Sequence, residues 1–221
     1  MRRVLPLALL GFTLVATACL PAAPSAGRPG HIGKVEVVGD SLTWGLFSAT
    51  PWIRTEMEKR MYVRRMSFTM DGGPAENAMQ TFLDPTPWVD RLAARIAADN
   101  PDVIIIQSSL FDAPDTPGRQ DAYRAAFAAL IDMAKSRDAH VYLVTNHVPP
   151  DAKLAAELDV AERIQRDVVV GRGISIIPVD LWLDTCKGAF IPDGIHLTQA
   201  GVECEANGLT AAIDQLRKQA G

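Results

Sequence analysis

The sequence lacks blocks of like charge. Its 22 lysines and arginines and 26 aspartates and glutamates are scattered along 221 residues, giving a formal net charge of −4. Proteins that bind nucleic acids usually cluster their basic residues on one surface, so this distribution argues against a nucleic-acid partner. The scattered charges and a hydrophobic content of 48% are typical of a globular domain with one substantial core.

The sequence also lacks the patterns that usually hold metals and nucleotides. No cluster of histidine, cysteine, aspartate or glutamate has the spacing of a metal site. Neither a phosphate-binding P-loop nor a glycine-rich dinucleotide fingerprint is present. We therefore expect chemistry that needs no cofactor and no metal ion.

No apolar run is long enough to cross a membrane. The N-terminal run falls short of the roughly 20 residues that a spanning helix needs, and it follows two arginines. A basic start, an apolar run and small residues at its end are the features of an export signal. The sequence predicts a signal peptide over residues 1–18, a flexible linker over 19–33 and a folded domain over 34–221.

Cys19 directly follows the small residues of the predicted signal. This segment resembles a lipobox, in which the cysteine is lipidated and becomes the mature N-terminus. The same residues fit ordinary signal-peptide cleavage, so both outcomes stay open. We expect an exported monomer, either an envelope lipoprotein tethered to the membrane through Cys19 or a secreted or periplasmic protein.

Cys186 and Cys204 are expected to form a disulfide, because two thiols outside the cytoplasm tend to pair. The bridge would close a loop that contains Asp193 and His196. Closing such a loop is worth roughly 3 kcal/mol by chain-entropy arguments. The alternative is a pair of unbonded buried cysteines.

Short apolar segments alternate with amphipathic helical patterns along the chain. This alternation predicts an α/β fold, a three-layer α/β/α sandwich with a mostly parallel five-stranded sheet. Thr198 is the expected N-cap of the last helix. The predicted strands are Val35–Val38, Val63–Met70, Val103–Ile106, Val141–Val144 and Ile174–Val179, and one helical stripe is Tyr123, Phe127, Leu130 and Ala134.

Two short motifs carry candidate chemistry. Gly39-Asp40-Ser41-Leu42-Thr43 places Ser41 where the first strand meets a helix, beside amides that can stabilise a negative charge, although a helix N-cap is the alternative role. Near the C-terminus, Asp193-Gly194-Ile195-His196 places a carboxylate three residues before an imidazole that it can orient. Serine, histidine and aspartate together form the triad of nucleophilic acyl transfer.

In these positions the two motifs resemble the first and last sequence blocks of the SGNH/GDSL hydrolase family. The resemblance covers the chain from about Lys34 to its end and implies the flavodoxin-like sandwich of that family. It implies Ser41 as the nucleophile, His196 as general base and acid, and Asp193 as the group that orients His196. The expected reaction is cleavage of acyl esters, on a small molecule or an acylated glycan, through an acyl-serine intermediate.

The middle blocks of the family are matched less closely. The resemblance implies an oxyanion hole from the backbone amides of Ser41 and Gly73, with Gly72 as the other candidate. Phe111 stands where the family has an oxyanion-binding asparagine, and losing one such donor typically costs roughly 10²–10³ in turnover. Phe111 and Trp44 are expected to line an acyl pocket. Two alternatives stay open: an envelope O-acyltransferase and a non-catalytic binding module with the same fold.

Overall fold

Helices and strands alternate along the chain. A computed structural model describes residues 32–39, 51–64, 67–71, 86–107, 117–145, 148, 151–178, 180–183, 185–194 and 196–220. The strands are β1 (Lys34–Gly39), β2 (Ser67–Asp71), β3 (Val103–Gln107), β4 (His140–Val144) and β5 (Ser175–Ile177). The helices are α1 (Pro51–Val63), α2 (Thr86–Asp99), α3 (Pro117–Lys135), α4 (Ala152–Val170), α5 (Asp180–Leu183) and α6 (Gln199–Ala220).

The strands form a parallel sheet in the order β2-β1-β3-β4-β5. The register pairs Gly39 with Gln107 and Gln107 with Val144, so the carboxyl ends of the three central strands lie side by side. Helices connect the parallel strands, because a chain must cross the sheet before it can pair in the same direction. The predicted α/β class and parallel sheet are confirmed.

The sheet is covered on both faces. Val35 and Val37 of β1 contact the core under α1 and α6, whereas Val38 contacts the core under α2, α3 and α4. In β3, every residue from Val103 to Ile106 is fully buried, which agrees with the unbroken apolar sequence of this strand. Burying each such side chain stabilises the folded state by about 1.5–3 kcal/mol. These two cores make the three-layer sandwich that the sequence predicts.

The predicted strand over Val63–Met70 is wrong in its first half. Val63 is the last residue of α1 and is 74% exposed, and β2 begins only at Ser67. The helix extends this far because Met57 and Met61, one turn apart, are both fully buried in the core. Burial of this helical face overrides the strand propensity of a single valine.

The last strand, β5, forms one edge of the sheet. It has three residues, and among the described strands it pairs with β4 alone. Pro178 follows it directly and has no backbone N–H to extend the pairing, so the strand ends before the predicted limit at Val179.

The N-terminal predictions concern residues that are largely outside the described part of the chain. Residues 1–31, with Cys19, are not among the described residues, so the signal, linker and domain boundaries stay predictions. The described chain starts at Ile32, whose side chain is buried in the core, and the Gly33 N–H donates to Asp102 Oδ2 at 2.8 Å. Among the described helices, none has both the length and the apolar character needed to cross a membrane.

Candidate active site

Asp193 and His196 form a hydrogen-bonded pair between α5 and α6. Asp193 Oδ2 lies 2.7 Å from His196 Nδ1, and Asp193 Oδ1 accepts the backbone N–H of His196 at 2.9 Å. Because a carboxylate only accepts hydrogen bonds, Nδ1 carries the proton of the neutral ring. Nε2 is therefore the ring nitrogen that can accept a proton. The His196 and Asp193 side chains are 48% and 39% exposed, so the pair lies at the surface.

A tight turn presents this pair. The C=O of Ile191 accepts the N–H of Gly194 at 2.9 Å, and Gly194 has a φ of 69°, in the left-handed region. Pro192, Asp193 and Gly194 occupy the positions of a four-residue turn that favour proline, aspartate and glycine. The Ile191 N–H also donates to the His196 C=O at 2.9 Å, which brings the two ends of the turn together.

The segment around the pair, residues 185–194 and 196–198, is fastened to the start of α6; we call it the dyad loop. A disulfide joins Cys186 in this loop to Cys204 in α6, as expected from the sequence. The Thr198 N–H donates to the Ala189 C=O at 2.8 Å, and the Thr198 hydroxyl donates to the Gly188 C=O at 2.5 Å. Covalent and backbone contacts thus hold a loop whose tip is exposed.

Two glycines let surrounding segments approach α6 closely. A Cβ at Gly201 would lie 2.1 Å from the carbonyl oxygen of Ala189, and a Cβ at Gly208 would lie 1.8 Å from the Trp182 ring. The Gly201 N–H donates to the Thr198 hydroxyl at 3.2 Å, which confirms Thr198 as the N-cap of α6. The dyad loop and α5 can occupy their places only because both positions lack a side chain.

A second polar pair, Gln107 and Glu205, is buried between β3 and α6. The Nε2 of Gln107, the last residue of β3, donates to Oε1 of Glu205 in α6. These side chains are 3% and 1% exposed. Burial raises the pKa of Glu205 to about 7, although the hydrogen bond from Gln107 opposes the shift. This carboxyl therefore keeps its proton up to a pH near 7.

The structure brings together part of the predicted site. Asp193 and His196 are in contact, and Cys186 and Cys204 are bonded. Within the described residues, no group of three histidine, cysteine, aspartate or glutamate side chains is arranged to hold a metal ion. The other predicted site residues lie outside the described residues, and their roles stay predictions: Cys19, Ser41, Trp44, Gly72, Gly73 and Phe111.

The sequence analysis assigned no role to Gln107 or Glu205. A signal was present, because Glu205 lies on the same helical stripe as Val202, Leu209 and Ile213, all of which are buried. A charged residue on the core side of a predicted helix is rarely fully buried without a partner. Searching the carboxyl ends of the strands for that partner leads to Gln107.

Comparison with known proteins finds similarity in structure alone. No protein-family model matches the sequence, and no curated protein matches it. Among solved structures, one similar chain is LAE5, an alpha/beta hydrolase enzyme from the metagenome of Lake Arreo, Spain. It is 22% identical with a TM-score of 0.57, over 82% of this chain and 95% of that one.

Two further structures have the same fold. A catalytic mutant of Axe2, an acetylxylan esterase from Geobacillus stearothermophilus, is 16% identical with a TM-score of 0.59, over 82% of this chain and 94% of that one. A GDSL-like lipase from Bacteroides thetaiotaomicron is 14% identical with a TM-score of 0.58, over 83% and 88%. The chain therefore has the fold of SGNH/GDSL hydrolases, as the resemblance of its motifs implied.

Replacing Gly201 with alanine tests the close approach of the dyad loop to α6. We expect G201A to lower the free energy of unfolding by about 1–3 kcal/mol, because the new methyl group overlaps the Ala189 carbonyl. Gly118 in α3 is a matched control, since a Cβ there meets nothing within 4 Å. G118A should stabilise the protein by about 0.4–1 kcal/mol. Denaturant unfolding measures both, and an unchanged stability in G201A would contradict the close approach.

The buried carboxyl of Glu205 should make stability depend on pH. Its pKa is about 7 in the folded chain against an ordinary value of 4.5, so between these values the folded state binds the extra proton. The free energy of unfolding therefore has its full contribution from this group below pH 4.5. It falls by about 3 kcal/mol in all as the pH rises to 7.

Denaturant unfolding from pH 4 to pH 8 measures this dependence. Relative to wild type, E205Q should lack the decline between pH 4.5 and 7, because the amide does not titrate. Glu203 lies two residues away on the exposed side of α6, so E203Q should keep the wild-type decline. Parallel curves for wild type and E205Q would disprove the raised pKa.

Proposed function

We propose that the protein is a serine hydrolase of the SGNH/GDSL type that cleaves acyl esters. The observation that carries the proposal is the 2.7 Å contact between Asp193 Oδ2 and His196 Nδ1, which leaves Nε2 as the proton acceptor. Ser41 follows β1 by two residues, and sites in open α/β sheets form beyond the carboxyl ends of the strands. The fold shared with an acetylxylan esterase and a GDSL-like lipase supports an ester as the substrate.

In the proposed reaction, the ester first acylates Ser41, and the resulting acyl-serine is then hydrolysed. Ser41 Oγ attacks the ester carbonyl while His196 Nε2 takes the hydroxyl proton of Ser41. The protonated imidazole ring then gives this proton to the departing alcohol. A water molecule then attacks the acyl-serine, with its proton passing to His196. Collapse of the second tetrahedral intermediate releases the acid and returns the proton to Ser41. Asp193 stabilises the imidazolium in both halves of the reaction.

The oxyanion and the acyl group need further contacts. We assign the oxyanion to the backbone amides of Ser41 and Gly73, because amides aimed at the developing charge are the usual source of its stabilisation. We assign the acyl pocket to Phe111 and Trp44, whose aromatic rings suit an apolar group. The proposed substrates carry a small acyl group on a carbohydrate or lipid, in line with the acetylxylan esterase among the structures of similar fold.

Three substitutions test the triad with p-nitrophenyl acetate as substrate. S41A and H196A should abolish measurable turnover, and D193N should lower kcat by about 10⁴-fold, because the amide cannot hold the same tautomer of His196. Asp159 is a matched control: it is an exposed aspartate in α4 that pairs with Arg163. D159N should therefore leave kcat and KM unchanged.

Labelling with a fluorophosphonate identifies the nucleophile directly. Mass spectrometry should place the label on Ser41 alone. A well-folded protein that shows neither labelling nor turnover would refute the proposal and favour a non-catalytic binding module. If an added acceptor alcohol yields a new ester in place of the free acid, the activity is that of an O-acyltransferase.

We further propose that the protein is exported. The disulfide between Cys186 and Cys204 supports this, because disulfides persist mainly in oxidising compartments. Expression of the full chain in a bacterium, followed by mass spectrometry of the mature N-terminus, tests the proposal. A lipidated Cys19 would identify an envelope lipoprotein, and a cleaved, unmodified N-terminus would identify a secreted or periplasmic protein. An uncleaved chain in the cytoplasm would contradict export.

A further inference from the structure

The buried contact between Gln107 and Glu205 joins the carboxyl end of β3 to α6. Gln107 ends β3 and is the register partner of Gly39, the last residue of β1. Ser41 follows Gly39 by two residues in the sequence. On the sheet side, Gln107 is thus beside the strand end from which the nucleophile-bearing segment departs.

On the helix side, Glu205 belongs to the part of α6 that holds the dyad loop. Cys204, the preceding residue, forms the disulfide to the loop, and the Ala189 carbonyl lies close against Gly201, one turn before Glu205. From the N-terminus of α6 to Glu205 the helix rises only about 9 Å. The first two turns of α6 therefore bind the dyad loop on one side and contact the sheet through Glu205 on another.

Other residues of α6 contact the sheet through apolar packing. Val202, Ala206, Leu209 and Ile213 pack in the core cluster that includes Val35 and Val37 of β1. Apolar burial depends on area and has little directional preference, so it permits small sliding movements of a helix over a sheet. A hydrogen bond with fixed donor and acceptor geometry is directional and restricts such sliding.

A polar pair at this place is costly for stability. Burying a carboxyl and an amide costs free energy that their hydrogen bond only partly recovers. Two apolar side chains of similar size could fill the same space without this cost. The raised pKa of Glu205 agrees with a neutral carboxyl paired to a neutral amide. The pair is thus better explained by the position it imposes than by the stability it contributes.

We infer that Gln107 and Glu205 are positioning residues, which set the location of the Asp193–His196 pair relative to the end of β1. The catalytic part of this inference rests on the function proposed above. Neither residue is exposed, so they act through α6 and the dyad loop and do not touch the substrate.

Three variants test the inference, with wild type for comparison. E205L removes the hydrogen bond and retains bulk, whereas E205Q keeps a neutral acceptor for Gln107. Q165L is the matched control, because Gln165 is also 1% exposed and donates to Tyr123 Oη at 2.9 Å in the opposite core. Q165L should lose stability without affecting the dyad loop.

The first readout is turnover of p-nitrophenyl acetate. E205L should lower kcat by about 10- to 100-fold with KM little changed, since small displacements of a catalytic group have effects of this size. E205Q should restore kcat to near the wild-type value, and Q165L should have the wild-type kcat. A folded E205L with the kcat of Q165L would overturn the inference.

The second readout does not need activity. The Val202 amide, which donates to the Thr198 carbonyl in the first turn of α6, should exchange with solvent about 10-fold faster in E205L than in Q165L, because this turn opens more often without the nearby hydrogen bond to the sheet. Equal exchange rates in these two variants would overturn the inference. If wild type shows neither turnover nor labelling of Ser41, the proposed function fails, and the exchange rates alone decide whether the pair positions the loop.

Discussion

The geometry of the candidate site depends on the contact between the dyad loop and the first turns of α6. The tip of this loop buries little apolar surface, since Asp193 and His196 are exposed and Ile191 is 40% exposed. Hydrophobic burial, which reaches Ala189, Phe190 and Leu197 at the base of the loop, therefore cannot fix the position of its tip. Backbone hydrogen bonds, a disulfide and the missing side chain of Gly201 do so, and the loop becomes an extension of the helix to which it is attached.

The sheet supplies the other fixed reference. Two apolar cores enclose it, and β3 is fully buried between them, so the carboxyl ends of the strands are held by most of the hydrophobic stabilisation of the domain. Buried polar side chains are few in such a core, and those present form hydrogen bonds that fix how neighbouring elements are placed. Glu36 faces Arg95 of α2 on one side of the sheet, and Gln107 faces Glu205 of α6 on the other.

Much of this architecture follows from residue patterns. The helical stripe of Tyr123, Phe127, Leu130 and Ala134 is buried as predicted, and the predicted strand Val103–Ile106 lies within β3. The prediction failed at Val63, where the decisive burial came from Met61 and Met57, earlier in the same helix. Local propensity carries no information about which helical face meets the core.

For the site, sequence spacing identified the Asp193–His196 pair because its geometry is local: a proline-aspartate-glycine turn brings residues three apart into contact. The pair of Gln107 and Glu205 is 98 residues apart in the chain, and only the packing of α6 on the sheet joins them. The role of Gly201 was equally hidden, because a glycine within a helix gives no indication of which neighbour comes close. Long-range contacts of this kind need the assembled fold.

The short strand β5 has a consequence for how the molecule behaves at high concentration. A sheet edge with unpaired backbone groups can recruit a strand from a second molecule and start aggregation. Here that edge offers three residues, and the proline that follows has no N–H to donate. Strand addition at β5 would gain too few hydrogen bonds to persist, so this side of the molecule resists edge-to-edge polymerisation.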